Sequence, residues 1–469
     1  GQQTCGSSFS ASRHRSRISG RSPGMDGCWS WLRSPTRSRQ GNRHDPNIRR
    51  EEQDGSVTFT AAPAGAGERM FTPQKHVLHL VLAIFFLMWW DLFGACCLPV
   101  AAYLVLLVCP FPFGGWGFST RMEVRSVIIV FFTLASIPAL SAWCILRGGR
   151  FPTALLVLYV AWYTLLDDAP KRGGRFCQTL RQRTFWRHFA AYFPMSLTRT
   201  TELDPEKNYL FGYHPHGIIS VGALCNFATD ATSFSRLFPG IDLRLLTLSM
   251  NFRVPFFREY LLGMGINDAS RESCVQNLSR GAGSSVMLVV GGARESLATK
   301  PGQIDLVLEH RKGFVKIALT TGASLVPVFS FGENDVFGVY HSARVERWQL
   351  AMQKRLGFAI PLFFGRALTG GLLHRVFGAN VGVMPLRVPV HSVVGRPVHV
   401  ERVESPSQEQ IDAVHTAYMD ELKRIYKDWK DVWGKAREQA LEKGDPERIA
   451  ILKDSRFQLD NQGTLDFVQ

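Results

Sequence analysis

Apolar residues along this chain fall into two regimes, and the regime changes near residue 170. Upstream lie two long apolar blocks. The first, HVLHLVLAIFFLMWWDLFGACCLPVAAYLVLLVCPFPF, occupies 76–113 and is interrupted near Asp91-Leu92-Phe93-Gly94. The second runs from Ser126 to Leu166, as SVIIVFFTLASIPALSAWCIL, then Arg147 to Arg150, then FPTALLVLYVAWYTLL. A membrane-spanning helix needs about 20 apolar residues. Residues 126–146 meet that length, whereas 76–90, 95–109 and 153–166 are short. Each block therefore predicts a helical hairpin that enters and leaves on one side, over 71–113 and 126–166. Lys75, Arg121, Arg125, Lys171, Arg172 and Arg175 flank the blocks, which places all three connections in the cytosol by the positive-inside tendency. Arg147 and Arg150 at the second tip favour a shallow arm. Buried core helices of a soluble protein are the alternative, and the length of the aromatic-aliphatic runs argues against them.

Downstream, short apolar runs alternate with helical patterns. NYLFGY (208–213), LRLLTLSM (243–250), SSVMLVVGG (284–292) and SLVPVFSFG (324–332) read as buried strands bounded by glycine or polar residues. SRESCVQNLSR and FVKIALTTGA read as helices between them. The expected fold is an α/β domain over 171–435, with a mainly parallel sheet flanked by helices. It closes on an amphipathic helix in which Ser407 and Gln410 form a capping box and Ile411, Val414, Tyr418, Leu422, Ile425 and Trp429 keep helical spacing. Residues 436–469 read as a charged tail.

Composition changes the picture at the start of the chain. Residues 1–70 are rich in Arg, Ser and Gly and predict disorder, with a transit-peptide-like bias in their first stretch. Met25 and Met70 are both plausible starts. The formal net charge of +15 fits an anionic membrane face or a phosphorylated substrate. No zinc-finger spacing or RNA-recognition motif supports nucleic acid as a partner. The nine cysteines form no CxxC pair, consistent with reduced thiols.

The chemistry concentrates at three strand ends. In YHPHG, His214, Pro215, His216 and Gly217 follow the apolar run that begins at Tyr209. Pro215 favours an extended His214, and a helix is expected to follow directly, as GIISVGALCNFAT. Open α/β sheets place ligands at such carboxyl ends. A neutral imidazole there can accept a hydroxyl proton, and the helix start offers N–H groups to a developing anion. No other His, Cys or acidic residue has metal-ligand spacing here, so a general base is preferred to a metal site or a structural turn. In GGARES, Gly291 and Gly292 permit close backbone approach, and Glu295 either orients the imidazole, binds substrate or is a solvated loop carboxylate. In RKGFVKIALTTGASLVPVFSFGEN, Arg311, Lys312 and Lys316 bracket a helix start suited to phosphate groups or to a lipid surface. Glu333 and Asn334 close the last strand on the same edge.

These stretches resemble the type-2 diacylglycerol acyltransferase family, which includes monoacylglycerol and wax-alcohol acyltransferases. The resemblance rests on YFP (192–194), YHPHG (213–217), FPGIDLRLLTLSMNFRVPFFREYL (238–261), GGARESL (291–297), the 311–334 stretch, VVGRPV (393–398) and HTAYMDELKRIY (415–426), and it covers roughly 126–430. It implies a membrane-anchored acyltransferase of the endoplasmic reticulum, also found at lipid droplets, that uses acyl-CoA as co-substrate. It also implies a catalytic histidine in HPHG, with His216 the better candidate than His214 because some members keep only the second. Glycerol-phosphate acyltransferases place an aspartate five residues after the histidine, where this chain has Val221, so Glu295 is the candidate substitute. The family's Phe-Leu-x-Leu lipid-binding pattern is present only loosely, as Phe131-Phe132-Thr133-Leu134, and the block at 76–113 has no counterpart in the shortest members.

The expected reaction is acyl transfer from acyl-CoA to diacylglycerol, with no metal, no bound cofactor and no covalent intermediate, although Cys225 leaves a covalent route open. A monoacylglycerol or fatty-alcohol acceptor is the nearest alternative. A non-catalytic lipid-droplet scaffold is a further one, opposed by the retention of all three strand-end motifs. Pro215, Gly217, Gly291, Gly292, Arg311, Lys312, Lys316, Glu333 and Asn334 are the expected substrate-binding residues, and a homo-oligomer is left open.

Overall fold

The computed structural model describes residues 48–53, 55–61, 120, 122–131, 150–340, 342–356, 362–365, 382, 384–442 and 465–468. The first apolar hairpin, the second as far as 149 except its opening helical stretch, and most of the terminal segments lie outside the described residues. The strands are β1 (Ile48–Gln53), β2 (Ser56–Ala61), β3 (Ser196–Arg199), β4 (Tyr209–His214), β5 (Asp242–Thr247), β6 (Ile266–Asp268), β7 (Ser284–Val289), β8 (Ile304–Val307), β9 (Ser324–Phe331), β10 (Gly338–Val339), β11 (Phe363–Phe364), β12 (His391–Val394) and β13 (Leu465–Val468).

Among the described residues, nine of these strands form one sheet in the order β1-β2-β3-β12-β9-β4-β7-β5-β6. The run β9-β4-β7-β5-β6 is parallel throughout, as is β3 with β12. Only β12 against β9 and the β1-β2-β3 edge are antiparallel. The fold is therefore mixed α/β with a mainly parallel sheet between helices. The carboxyl ends of β4, β5, β7 and β9 share one edge, where parallel sheets expose their loops.

Strand periodicity sorts β4 between two cores. Tyr209, Phe211 and Tyr213 enter the layer containing Trp186, Phe189 and Phe227. Leu210 faces the opposite layer, with Leu325, Phe314 and Leu422. That second layer is covered by helices Arg271–Leu278, Gly313–Thr321 and Gln408–Glu442. The capping box of the last forms as expected, with Ser407 N–H donating to Gln410 Oε1 at 2.9 Å and Gln410 N–H to Ser407 Oγ at 3.3 Å. This helix continues to Glu442, past the expected end of the globular domain at 435.

The segment read as disordered includes β1 and β2, which form a hairpin on the edge of the sheet. β2 points Val57, Phe59 and Ala61 inward and its other side chains outward. Three inward apolar residues suffice because they close onto an existing sheet edge at β3, which supplies the core that the local composition lacks.

Helix Arg150–Leu165 is fastened to the domain by polar contacts. Tyr159 Oη donates to Glu259 at 2.8 Å, and Tyr163 Oη donates to the Arg253 carbonyl at 2.8 Å. Arg258, only 1% exposed, pairs with Asp167 and Glu259 at 2.6 Å each and lies over the Tyr163 ring. Its other side leaves Phe151, Leu155, Leu158 and Leu165 exposed. No described helix is long and apolar enough to cross a membrane.

Replacing Phe59 with Ala tests the hairpin. Loss of a buried aromatic ring is expected to cost about 3 kcal/mol of unfolding free energy. A chemical-denaturation midpoint unchanged from wild type would show that β2 does not pack on the sheet.

Candidate active site

β4 ends at His214, and a cis His214–Pro215 peptide leads into the turn 215–220. Gly217 and Ser220 take positive φ values of 59° and 53°. These left-handed residues stop a helix from starting at once, so helix Val221–Phe227 begins later than the sequence pattern predicts. Gly217 has a second reason to lack a side chain, since a Cβ would lie 2.8 Å from Glu333 Cγ. Ser220 does not cap the helix; its hydroxyl instead donates to the His216 carbonyl at 2.8 Å.

The two histidines face different surroundings. His214 is fully buried, and its Nε2 is 2.9 Å from Tyr418 Oη on the long C-terminal helix. Tyr418 O–H donates to the Gly212 carbonyl at 3.1 Å, so His214 Nε2–H must be the donor in their contact. Its Nδ1 is buried with no partner. Burial lowers the His214 pKa to about 3, which keeps the ring neutral and enclosed. The structure therefore puts His214 in a packing role and away from accessible chemistry. His216 is partly accessible. Its Nδ1 lies 3.0 Å from the Gly217 carbonyl, which can only accept. This contact sets the proton on Nδ1 and leaves the Nε2 lone pair free. Burial depresses the His216 pKa below 6.5, opposed by that hydrogen bond.

Glu295 does reach His216, though not its imidazole. In helix Gly292–Ala298, its Oε1 accepts the His216 backbone N–H and its Oε2 accepts the Val307 N–H at 2.9 Å. Gly291 makes room, since a Cβ there would collide with this carboxylate. Gly292 supplies the positive φ of 62° that starts the helix. Burial pushes the Glu295 carboxyl up to about 7, with the two N–H bonds and the nearby Arg311 charge acting against it.

Glu333 corrects two expectations. Its Oε1 accepts the Val221 N–H at 2.6 Å, and its Oε2 accepts the Gly222 N–H at 2.9 Å and the Tyr213 hydroxyl at 2.7 Å. The first N–H groups of the helix are thus filled by a carboxylate and are unavailable to a developing anion. Glu333 is itself buried, so it does not present a substrate-binding surface. A Cβ at residue 222 would press on both Tyr213 Oη and Glu333, which accounts for Gly222. Burial raises the Glu333 carboxyl to about 7. Asn334 also turns inward, donating to the Gln303 carbonyl at 2.8 Å.

The basic cluster splits. Lys312 pairs with Asp412 at 2.6 Å, whereas Arg311 and Lys316 are exposed. Cys225 is fully buried, and burial drives its thiol pKa far up, which makes it a poor nucleophile. No group of three His, Cys, Asp or Glu among the described residues is arranged to hold a metal ion. Sequence reasoning missed Tyr418 and Tyr213 as parts of this site. It placed Tyr418 on the inward face of its helix, but a partner 204 residues away carries no local signal.

Two outcomes follow from these contacts. Tyr418→Phe removes the acceptor for buried His214 Nε2–H and is expected to cost about 2 kcal/mol of stability in equilibrium unfolding. Glu295 has a folded pKa near 7 against 4.5 unfolded, so its contribution to stability is full below pH 4.5 and is lost as pH rises to 7. Glu295→Gln should accordingly flatten the fall in melting temperature between those pH values. An unchanged slope would contradict the burial argument.

The diacylglycerol acyltransferase family description matches residues 150–443. Diacylglycerol O-acyltransferase 2A of Umbelopsis ramanniana is 44% identical over 321 residues, covering 67% of this chain and 85% of that protein. Human diacylglycerol O-acyltransferase 2 is 43% identical over 293 residues, covering 61% of this chain and 74% of that protein. Human 2-acylglycerol O-acyltransferase 1 is also 43% identical, over 291 residues, covering 61% of this chain and 83% of that protein. No solved structure matches the chain. With more than half of its length matched by the family description, the chain belongs to the diacylglycerol acyltransferase family.

Proposed function

We propose that this protein transfers an acyl group from acyl-CoA to the free hydroxyl of diacylglycerol, with His216 as general base. One observation carries the assignment of the base: His216 Nδ1 is committed to the Gly217 carbonyl at 3.0 Å, so Nε2 is the proton acceptor. The acceptor hydroxyl gives its proton to Nε2 as its oxygen bonds to the thioester carbonyl carbon. The tetrahedral oxyanion collapses, the carbon–sulfur bond breaks, and the CoA thiolate takes the proton from the imidazolium. Triacylglycerol and CoA leave, and the histidine is again neutral. With Val221 and Gly222 engaged by Glu333, the oxyanion donors in this reading are the N–H groups of Gly217 and Ile218 in the turn, which have no acceptor among the described residues. Exposed Arg311 and Lys316 are suited to the CoA phosphates.

The acceptor is a bilayer lipid, and the apolar outer side of helix Arg150–Leu165 supports delivery from a membrane. Ile219 in the active turn and Leu248 after β5 are likewise exposed, on the same sheet edge. In this reading the two apolar blocks anchor the enzyme in the endoplasmic reticulum, with the sheet on the cytosolic side where acyl-CoA is made, and lipid droplets are a second location. A monoacylglycerol acceptor is the second reading, favoured by the equal identity to the 2-acylglycerol enzyme.

Microsomes carrying wild type or His216→Ala, supplied with labelled acyl-CoA and mono-, di- or fatty-alcohol acceptors, test both points. Loss of the base is expected to lower the rate at least about a hundredfold. Undiminished triacylglycerol synthesis would sink the proposal, and the wild-type acceptor panel identifies the physiological class. Because the His216 pKa is depressed below 6.5, the rate should hold from pH 8 down to about 7 on account of this group and fall only below pH 6.5.

A further inference from the structure

The turn that carries His216 is held at both ends by buried carboxylates. Glu295 binds its entry through the His216 N–H. At its exit, Glu333 binds Val221 and Gly222 and also reaches back to Tyr213, the residue before the first histidine. Glu333 thus joins the strand before the turn to the helix after it, across a separation of more than 100 residues in sequence. It is 2% exposed, and its contacts account for both carboxylate oxygens.

We infer that Glu333 is a positioning residue for the acyltransfer reaction: it sets the conformation of the 215–220 turn and so aims His216, without touching either substrate. The inference rests on the reading of His216 as the base. Three features support a role beyond simple filling of space. Helix Val221–Phe227 has no side-chain cap of its own, because Ser220 is left-handed and its hydroxyl is used elsewhere. Both glycines that flank the turn's contacts, Gly217 and Gly222, would collide with Glu333 if they carried a Cβ. Asn226, on the helix that follows the turn, is held by a buried chain of hydrogen bonds of 2.8–2.9 Å that runs from Thr232 through Asn226 and Ser392 to Ser330, which fixes that helix from its other side. The turn then has one stable shape, and that shape depends on a carboxylate.

The test uses full-length enzyme purified in detergent, with rates normalised to monodisperse protein. It compares wild type, Glu333→Gln, Glu333→Asp, Tyr213→Phe, His216→Ala and the double variant of His216→Ala with Glu333→Gln. Glutamine opposes an amide N–H to one of the backbone donors, so kcat should fall by about ten- to a hundredfold while KM for acyl-CoA and for acceptor stays within about threefold. Glu333→Asp should recover part of that loss. The double variant should be no slower than His216→Ala alone, since a residue acting through the base loses its effect once the base is gone. A raised KM with kcat retained would make Glu333 a substrate contact and overturn the inference. So would an unchanged kcat in the monodisperse fraction, or additive losses in the double variant. If Glu333→Gln does not fold, Tyr213→Phe decides: a kcat equal to wild type overturns the inference, and a two- to fivefold loss at constant KM, roughly one hydrogen bond's worth of positioning, supports it. An active His216→Ala variant would instead overturn the reading of the base.

Discussion

Burying a carboxylate is expensive, and this domain buries two, one at the entry and one at the exit of a six-residue turn. The cost is visible in Glu295 and Glu333, both displaced towards pKa values near 7 by loss of water. It is offset by backbone N–H groups that would otherwise be orphaned, at His216, Val307, Val221 and Gly222. Each partner solves the other's problem: the turn needs acceptors away from solvent, and the carboxylates need donors. Much of the surrounding sequence is arranged to keep this exchange intact. Glycines at 217, 222 and 291 leave the space, and Tyr213 supplies one further donor.

In the proposed mechanism a neutral histidine then serves as base without a carboxylate on its ring. In a serine–histidine–aspartate arrangement the acid fixes the tautomer and stabilises the imidazolium. Here a carbonyl from the next residue fixes the tautomer. The acidic residues act one step removed, on the backbone. The first histidine belongs to the scaffold: its contact with Tyr418 ties the candidate edge to the long helix that covers one face of the sheet.

The strands that carry this edge were legible because they are apolar-rich runs bounded by glycine or polar residues: β7 and β9 fall within the runs expected for them, and β4 and β5 overrun theirs by one residue each, at His214 and Asp242. So were the helices between them and the capping box at Ser407. β6 and β12 are short strands, and β1 reads IRREEQ, with almost nothing for a hydrophobicity argument to use. Their pairing is decided by neighbours distant in sequence. The candidate site was legible as a set of strand ends, since parallel topology brings such ends together. The direction of each side chain was not legible. Glu333 lies where a ligand contact would lie, but it turns inward to a helix start 111 residues away. The local signal pointed the other way: Ser220 stands where an N-cap would, and only its left-handed backbone and its bond to the His216 carbonyl leave that place to Glu333.

The hairpin at the sheet edge has a consequence for the rest of the chain. β2 ends where β3 begins, and the Ala61 N–H donates to the Met195 carbonyl at 3.2 Å. The polypeptide therefore departs from this edge after residue 61 and comes back to the same point at residue 195, with all of its long apolar blocks in between. If the chain enters a bilayer between these two strands, as the proposed anchoring requires, the pairing of β2 with β3 in one sheet demands an even number of passages.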